Sequence, residues 1–186
     1  MACQSVMASS LARRAPRPLI TRRGLLAGLL LVVAALLLPA RSADATELRG
    51  RVVAVGDGDN ITVLTDQRQR LNVRLAEIDA PEQRQAFGGR ARQILSQLVI
   101  ERRVVLRVTG ADRNRRVLAH VFVGRQHVNA EMIRLGAAWV FLRYSNDRTL
   151  LRLQREAQVA RRGLWALPEH QRMPPWEWRE SRRRGR

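Results

Sequence analysis

The period of apolar positions changes several times along this chain. Residues 51–55, 61–64 and 71–78 are rich in aliphatic and β-branched side chains. In the third run Leu71, Val73 and Leu75 alternate with Asn72, Arg74 and Ala76, the period-two signal of a half-buried strand. Gly56, Gly58 and Asp66 lie in the connectors, so the three strands can pair as a meander. Gly88 and Gly89 then precede a helical pattern with Ala91, Ile94, Leu95, Leu98 and Val99 on one face. Residues 104–108 and 117–123 predict two further strands around the polar stretch 109–116. Asn129 is placed to cap a short helix through Leu135, ended by Gly136. A last helix is expected over about 146–162, with Leu150, Leu153, Ala157 and Ala160 inward and Gly163 as terminator. Five strands with a helix inserted after the third, and about three helices in all, predict an α+β fold built on a small OB-type barrel. From Pro168 onward the chain is Pro-, Trp- and Arg-rich and reads as a tail, residues 168–186. Its Trp176 and Trp178 are expected to pack the tail on the barrel rather than stack on bases, and its closing arginines to form a solvated tether.

The first 45 residues follow a different logic. Arg13, Arg14, Arg17, Arg22 and Arg23 precede the apolar run Leu25 to Leu38, then Pro39 and the small-residue site Ala43-Asp44-Ala45. This order is that of a secretory signal, and Thr21-Arg22-Arg23-Gly24-Leu25-Leu26 has twin-arginine character. Residues 1–45 are therefore expected to be a signal peptide, leaving a domain over 46–167 that acts in the periplasm or outside the cell. The alternative is a retained anchor: residues 24–40 are uncharged, the short limit for a membrane span, and would hold the domain outside the cytoplasm.

Composition narrows the partners. Of 186 residues, 34 are basic and 16 acidic, for a net charge of +18, and every basic residue is arginine. Removing residues 1–45, with six arginines and one aspartate, still leaves +13. A domain this basic seeks polyanions, either nucleic acid or an anionic surface. Cys3 is the only cysteine, which excludes an intramolecular disulfide and a cysteine-based metal site. A hydrophobic content of 46% supports an ordinary core.

The few carboxylates are clustered. Asp57-Gly58-Asp59 occupies the turn between the first two strands, and Asp79-Ala80-Pro81-Glu82 the exit of the third. Clustered like charges call for a positive group among them, and oxygen donors of this kind suit a hard divalent cation, Ca²⁺ or Mg²⁺. Arg74 lies between the clusters, and Arg116 enters the last strand. A guanidinium fork can grip two phosphate oxygens at once. A bound cation, two such forks and one spare carboxylate are the parts that phosphodiester hydrolysis requires.

VVAVGDGDN, RLAEIDAPE, GGRARQIL, DRNRRVLAHVFV, VNAEMIRLGAAWV and RRGLW occur in that order between Arg51 and about Trp165. By these pieces the chain resembles the thermonuclease, or staphylococcal-nuclease-like, family. The resemblance implies an OB barrel with three helices and Ca²⁺-dependent hydrolysis of DNA and RNA to 3′-phosphate ends. It also implies Asp59 and Asp79 as side-chain metal ligands with Ala80 lending its carbonyl, Glu82 as general base, and Arg74 and Arg116 as the phosphate-gripping pair. Arg113 and Arg115 become nucleic-acid contacts. Tyr144 matches a position near the nucleotide, although a rim tyrosine fits it equally.

Asn60 replaces the family's usual threonine, and Asp112-Arg113-Asn114-Arg115-Arg116 replaces Asp-Arg-Tyr-Gly-Arg, with Asn114 expected to take the left-handed turn position. This altered turn supports a rival reading, an OB module of the same family that holds nucleic acid without cutting it. No obligate protein partner is expected, and the chain reads as a monomer. His120 and His127 are read as structural.

Overall fold

The computed structural model describes residues 46–185. The signal or anchor expected over residues 1–45 lies outside them. The described chain runs β1 (Glu47–Val55), β2 (Asn60–Thr65), β3 (Arg70–Leu75), β4 (Ile78–Asp79), α1 (Gly88–Val99), β5 (Arg103–Ala111), β6 (Val117–Val123), β7 (Gln126–His127), α2 (Val128–Arg134), β8 (Trp139–Val140), α3 (Arg148–Val159), two 3₁₀ turns and α4 (Pro175–Arg184).

β1, β2 and β3 form the expected meander, β1 also pairs with β5, and β5 with β6. A parallel pairing of β3 with β6, from Val73↔Val117 to Leu75↔Ala119, closes the five strands into a barrel. The alternation seen in the sequence decides which side chains fill it. Val52, Ile61, Val63, Val73, Leu75, Val104, Leu106, Ala119 and Val121 point inward and are buried. Leu95 and Val99 of α1, Met132 and Ile133 of α2 and Leu150 of α3 extend the same core. Each fully buried aliphatic side chain of this size contributes roughly 1.5–3 kcal/mol.

Several local expectations are corrected. Asn129 does not cap α2, whose N-cap is His127. It sits one turn-position inside, fully buried, accepting from Val121 N–H at 2.9 Å and donating to the carbonyls of Ala76 at 2.9 Å and Ala119 at 3.2 Å. An apolar residue there would take their side-chain partner from Val121 N–H and the Ala76 carbonyl, while the Ala119 carbonyl would keep the N–H of Ala76 at 2.9 Å, which is why a polar residue occupies the core. Asp147 caps α3, accepting from Thr149 and Leu150 N–H. That helix ends before Gly163, with Arg161 in the left-handed region at φ 48°. Gly163 instead meets Gly136, which ends α2 as expected. A Cβ on Gly136 would lie 2.2 Å from the Arg162 carbonyl oxygen, and one on Gly163 2.3 Å from that of Gly136. Both have positive φ, so only glycine fits on conformational and steric grounds alike.

The tail is the largest departure. It is not a free tether: residues 175–184 form a fourth helix, started by Pro175 at its first turn. Trp176 packs on the domain as expected, whereas Trp178 lies under the Arg182 guanidinium within the helix itself.

Candidate active site

The turns that carry the acidic residues converge at one end of the barrel. The β1–β2 turn presents Asp57 and Asp59, the end of β3 presents Arg74, and β4 presents Asp79. Two-residue β4 is held by antiparallel pairing with β8, Asp79 opposite Trp139. Asp59 and Asp79 are both buried, and one side chain bridges them. Arg74 donates from Nη1 to Asp59 Oδ1 and from Nη2 to Asp79 Oδ1, each at 2.8 Å. Ala80 enters through its backbone N–H, which donates to Asp59 Oδ2 at 2.9 Å.

Burial pushes the Asp59 carboxyl well above the usual carboxylate range, an effect that Arg74 opposes and the charges of Asp57 and Asp79 reinforce. Burial alone would lower the affinity of Arg74 for its proton, but Asp59 and Asp79 outweigh it and hold the guanidinium more firmly charged.

Arg116 reaches the same place from the start of β6. Its Nη1 donates to Asn60 Oδ1 at 2.6 Å, and Asn60 Nδ2 donates in turn to Asp57 Oδ1 at 2.6 Å and Asp59 Oδ1 at 2.7 Å. Asn60 thus ties the phosphate-gripping candidate to the acidic turn. Asp112 holds Arg116 from behind through Nε at 2.7 Å and also accepts from the N–H groups of Asn114 and Arg116. Burial would raise the Asp112 carboxyl, but these bonds to Arg116 and Asn114 outweigh it and set it below its usual range.

The altered turn therefore keeps a defined shape. It is Arg115, not Asn114, that takes the left-handed position, at φ 61°. Arg115 stands where the resemblance has glycine, so a side chain accepts a conformation costing roughly 1–2 kcal/mol.

A cleft of about 970 Å³ opens over these groups, lined among others by Asp59, Arg74, Glu82, Arg113, Arg116 and Tyr144. Of the residues singled out from the sequence, Asp59, Arg74, Ala80, Glu82, Arg113, Arg116 and Tyr144 line it, and Asp79 lies directly beneath. Arg115 is exposed and does not line the cleft. Tyr144 stands at the rim, 64% exposed, edge-on to Phe141 at 4.9 Å.

One member of the site was not foreseen. Arg179 of α4 places its guanidinium between Asp79 and Glu82: Nη2 donates to Asp79 Oδ2 and Nη1 to Glu82 Oε1, both at 2.7 Å, and Nη1 also reaches Asp79 Oδ1 at 3.2 Å. Its carboxylate partners overcome burial and raise the affinity of this guanidinium for its proton. Nothing in the sequence pairs an arginine about a hundred residues away with these acids.

The donor set suits a hard cation: three carboxylates, two of them buried, and no soft ligand. Among the described residues, no three His, Cys, Asp or Glu side chains close a cage by themselves, because the carboxylates are turned onto Arg74 and Arg179. The positive group between Asp79 and Glu82 is a guanidinium, that of Arg179.

A closed OB barrel bearing carboxylates and arginines at one end defines a class, and comparison with known proteins makes it specific. Residues 72–167 match the family described as staphylococcal nuclease homologue. The chain is 40% identical over 163 residues to a Haemophilus influenzae protein described as an uncharacterized endonuclease, covering 88% of each chain. It is 43% identical over 146 residues to the protein ParB of Escherichia coli, covering 73% of this chain and 81% of that one. A micrococcal nuclease of Shigella flexneri is 39% identical over 167 residues, covering 84% of this chain and 94% of the relative. The chain belongs to the staphylococcal nuclease family.

Proposed function

We propose that this protein is a calcium-dependent nuclease that hydrolyses DNA and RNA phosphodiester bonds with little sequence preference outside the cytoplasm. The observation that carries the reading is the ionic cluster Asp59–Arg74–Asp79, at 2.8 Å on both sides, in one cleft with Glu82 and Arg116. Nuclease-named relatives over most of the chain support it.

In this reading Asp59 and Asp79, with the Ala80 carbonyl, hold the cation, which supplies charge stabilisation at the scissile phosphate. Arg116, with its fork fixed by Asp112 and Asn60, grips the phosphate and neutralises charge that builds up on it. Arg74 does the same from the other side while fixing both aspartates. Glu82, on a half-exposed loop where water can reach it, takes the proton from the attacking water. Arg113 and Tyr144 lie along the rim, where the polynucleotide passes. Arginine forks directed at phosphates position the strand without reading its sequence, which accords with weak sequence preference.

Calcium follows from the donor set together with the expected place of action. A site of two aspartates and a carbonyl is weak, of the class with dissociation constants of about 10⁻⁴–10⁻³ M that serves extracellular proteins. Export by the signal at residues 1–45 would supply that environment, and N-terminal sequencing of native protein beginning near Thr46 tests it.

The deciding experiment is digestion of defined DNA and RNA oligonucleotides with Ca²⁺, with Mg²⁺ and with chelator, followed by analysis of product ends. Cleavage that needs Ca²⁺ and falls at least about 10²-fold in Glu82→Gln is expected. Chelator-insensitive binding without cleavage would establish the non-catalytic alternative.

A further inference from the structure

Building on the metal-dependent reading above, we propose that α4 is an autoinhibitory latch, with Arg179 an internal cation that competes with the divalent metal for Asp79 and masks Glu82. The geometry sets the two cations in competition. Both oxygens of Asp79 are taken: Oδ1 accepts from Arg74 and Arg179, and Oδ2 accepts from Arg179. Glu82 Oε1 accepts from the same guanidinium. A hard cation binds carboxylate oxygens at about 2.3–2.6 Å, closer than any guanidinium nitrogen, and two positive charges there would repel. Metal at Asp79 and the Arg179 guanidinium therefore oppose each other, and withdrawal of Arg179 frees both Asp79 for metal and Glu82 Oε1 for water.

The helix is built to dock and to leave. Among its described residues only Pro175 is buried, so little apolar area holds it down. Its grip is local: Trp176 lies flat on Phe141, at 5.3 Å and 4°, and edge-on to Trp139 at 6.0 Å. Behind it, the Gln85 amide donates to the Met173 carbonyl just before Pro174 and Pro175, a stiff hinge. The docking shelf and the acids share one ladder, since Trp139 pairs with Asp79 in β4–β8. The rest of α4 carries Arg182, Arg183 and Arg184, but among the described residues of the helix Arg179 is the one that hydrogen-bonds Asp79 and Glu82.

The test is calcium binding to the intact protein without substrate, by calorimetry, in the wild type and three variants. Apparent affinity scales with the fraction of molecules that are open, so a latch closed nine-tenths of the time weakens calcium binding about tenfold. Arg179→Gln should therefore tighten it by about that factor. Trp176→Ala, which undocks the helix but keeps its charge, should tighten it too. Arg182→Gln, removing one charge from the same helix away from the acids, should stay within about twofold of wild type. Equal or weaker calcium binding in Arg179→Gln, or equal tightening in Arg182→Gln, overturns the latch. So does unchanged calcium binding with a lowered kcat at saturating calcium, which would make Arg179 a phosphate contact. Cleavage by the wild type separates the two ideas. If it cuts with calcium while Arg179→Gln binds calcium unchanged, the latch alone falls; if no divalent cation supports cutting, the nuclease reading falls.

Discussion

Two adjacent glycines at the start of α1 offer a sharp test of the site, because the structure treats them in opposite ways. A Cβ on Gly88 would lie 1.9 Å from the Glu82 carbonyl oxygen, 2.8 Å from its carbonyl carbon and 3.1 Å from Gln83 Cα. Real Cβ atoms essentially never approach within 3.0 Å, so Gly88→Ala must push the backbone at Glu82 away by about 1.1 Å. The obstacle is main chain, pinned by Gln85 N–H donating to that same carbonyl at 2.8 Å, so it cannot swing aside as a side chain would. Overpacking of this kind costs about 1–3 kcal/mol of stability. If Glu82 is the general base proposed above, moving its carboxylate by about 1 Å costs on the order of 10²-fold in rate, or about 2.7 kcal/mol. Gly89→Ala meets nothing within 4 Å and should be neutral or stabilise by up to about 1 kcal/mol through helix propensity. The assay is hyperchromicity of single-stranded DNA at saturating calcium, with thermal melting in parallel. If folded Gly88→Ala retains near-normal kcat, the placement of Glu82 does not govern the rate and the reasoning fails.

Two further outcomes are expected. Arg74→Lys should lower kcat by at least about tenfold and destabilise the fold, since an ammonium cannot span Asp59 and Asp79 as the two guanidinium nitrogens do; full activity and an unchanged melting temperature would refute this. His127 has its pKa lowered from 6.5 to about 4, mainly by burial, then by His120 and Arg107 against the pull of Asp147. The folded ring thus stays neutral while the unfolded one gains a proton, so its contribution is complete above pH 6.5 and is lost as pH falls toward 4. The full displacement corresponds to at most about 3.5 kcal/mol, and partial solvent exposure reduces it to about 1–2 kcal/mol. Denaturant melts of wild type and His127→Gln over that window should converge toward low pH, and parallel curves would count against the assignment.

What was legible in the sequence follows from how strongly local pattern decides structure. Period-two alternation at Leu71, Val73 and Leu75 and the Asp-Gly turn at 57–59 impose strands and a turn wherever they are packed, so the barrel and its acidic end could be read directly. β4 and β8 are two residues each and have no period to detect; they exist because pairing across the chain holds them. Asn129 carries a capping residue's identity but a core residue's burial, a choice made by three backbone groups from other elements. Arg115 shows the reverse: the turn's shape, fixed by Asp112, prevails over the preference of the residue placed in it. α4 has no apolar stripe of its own, so its sequence reads as a tail, and its helix is held by aromatic contacts and by ion pairs to residues 97 and 100 positions away.

The exclusive use of arginine acquires a structural meaning at this end of the barrel, whatever its origin elsewhere in the chain. Arg74, Arg116 and Arg179 each use separate nitrogens on separate partners: Asp59 and Asp79 for the first, Asp112 and Asn60 for the second, Glu82 and Asp79 for the third. An ammonium has three donors on one atom and no planar fork, so it cannot hold two partners at the separate positions that two guanidinium nitrogens reach. Removing one side of a buried pair leaves an uncompensated charge, commonly at a cost of about 3–5 kcal/mol, so Arg74 is bound to Asp59 and Asp79 by necessity as much as by attraction. Arg179 differs in one respect that matters. Its side chain is more exposed than that of Arg74, 36% against 14%, and its partners Asp79 and Glu82 can be compensated by another cation. The same chemistry that makes Arg74 a permanent part of the site therefore makes Arg179 a replaceable one.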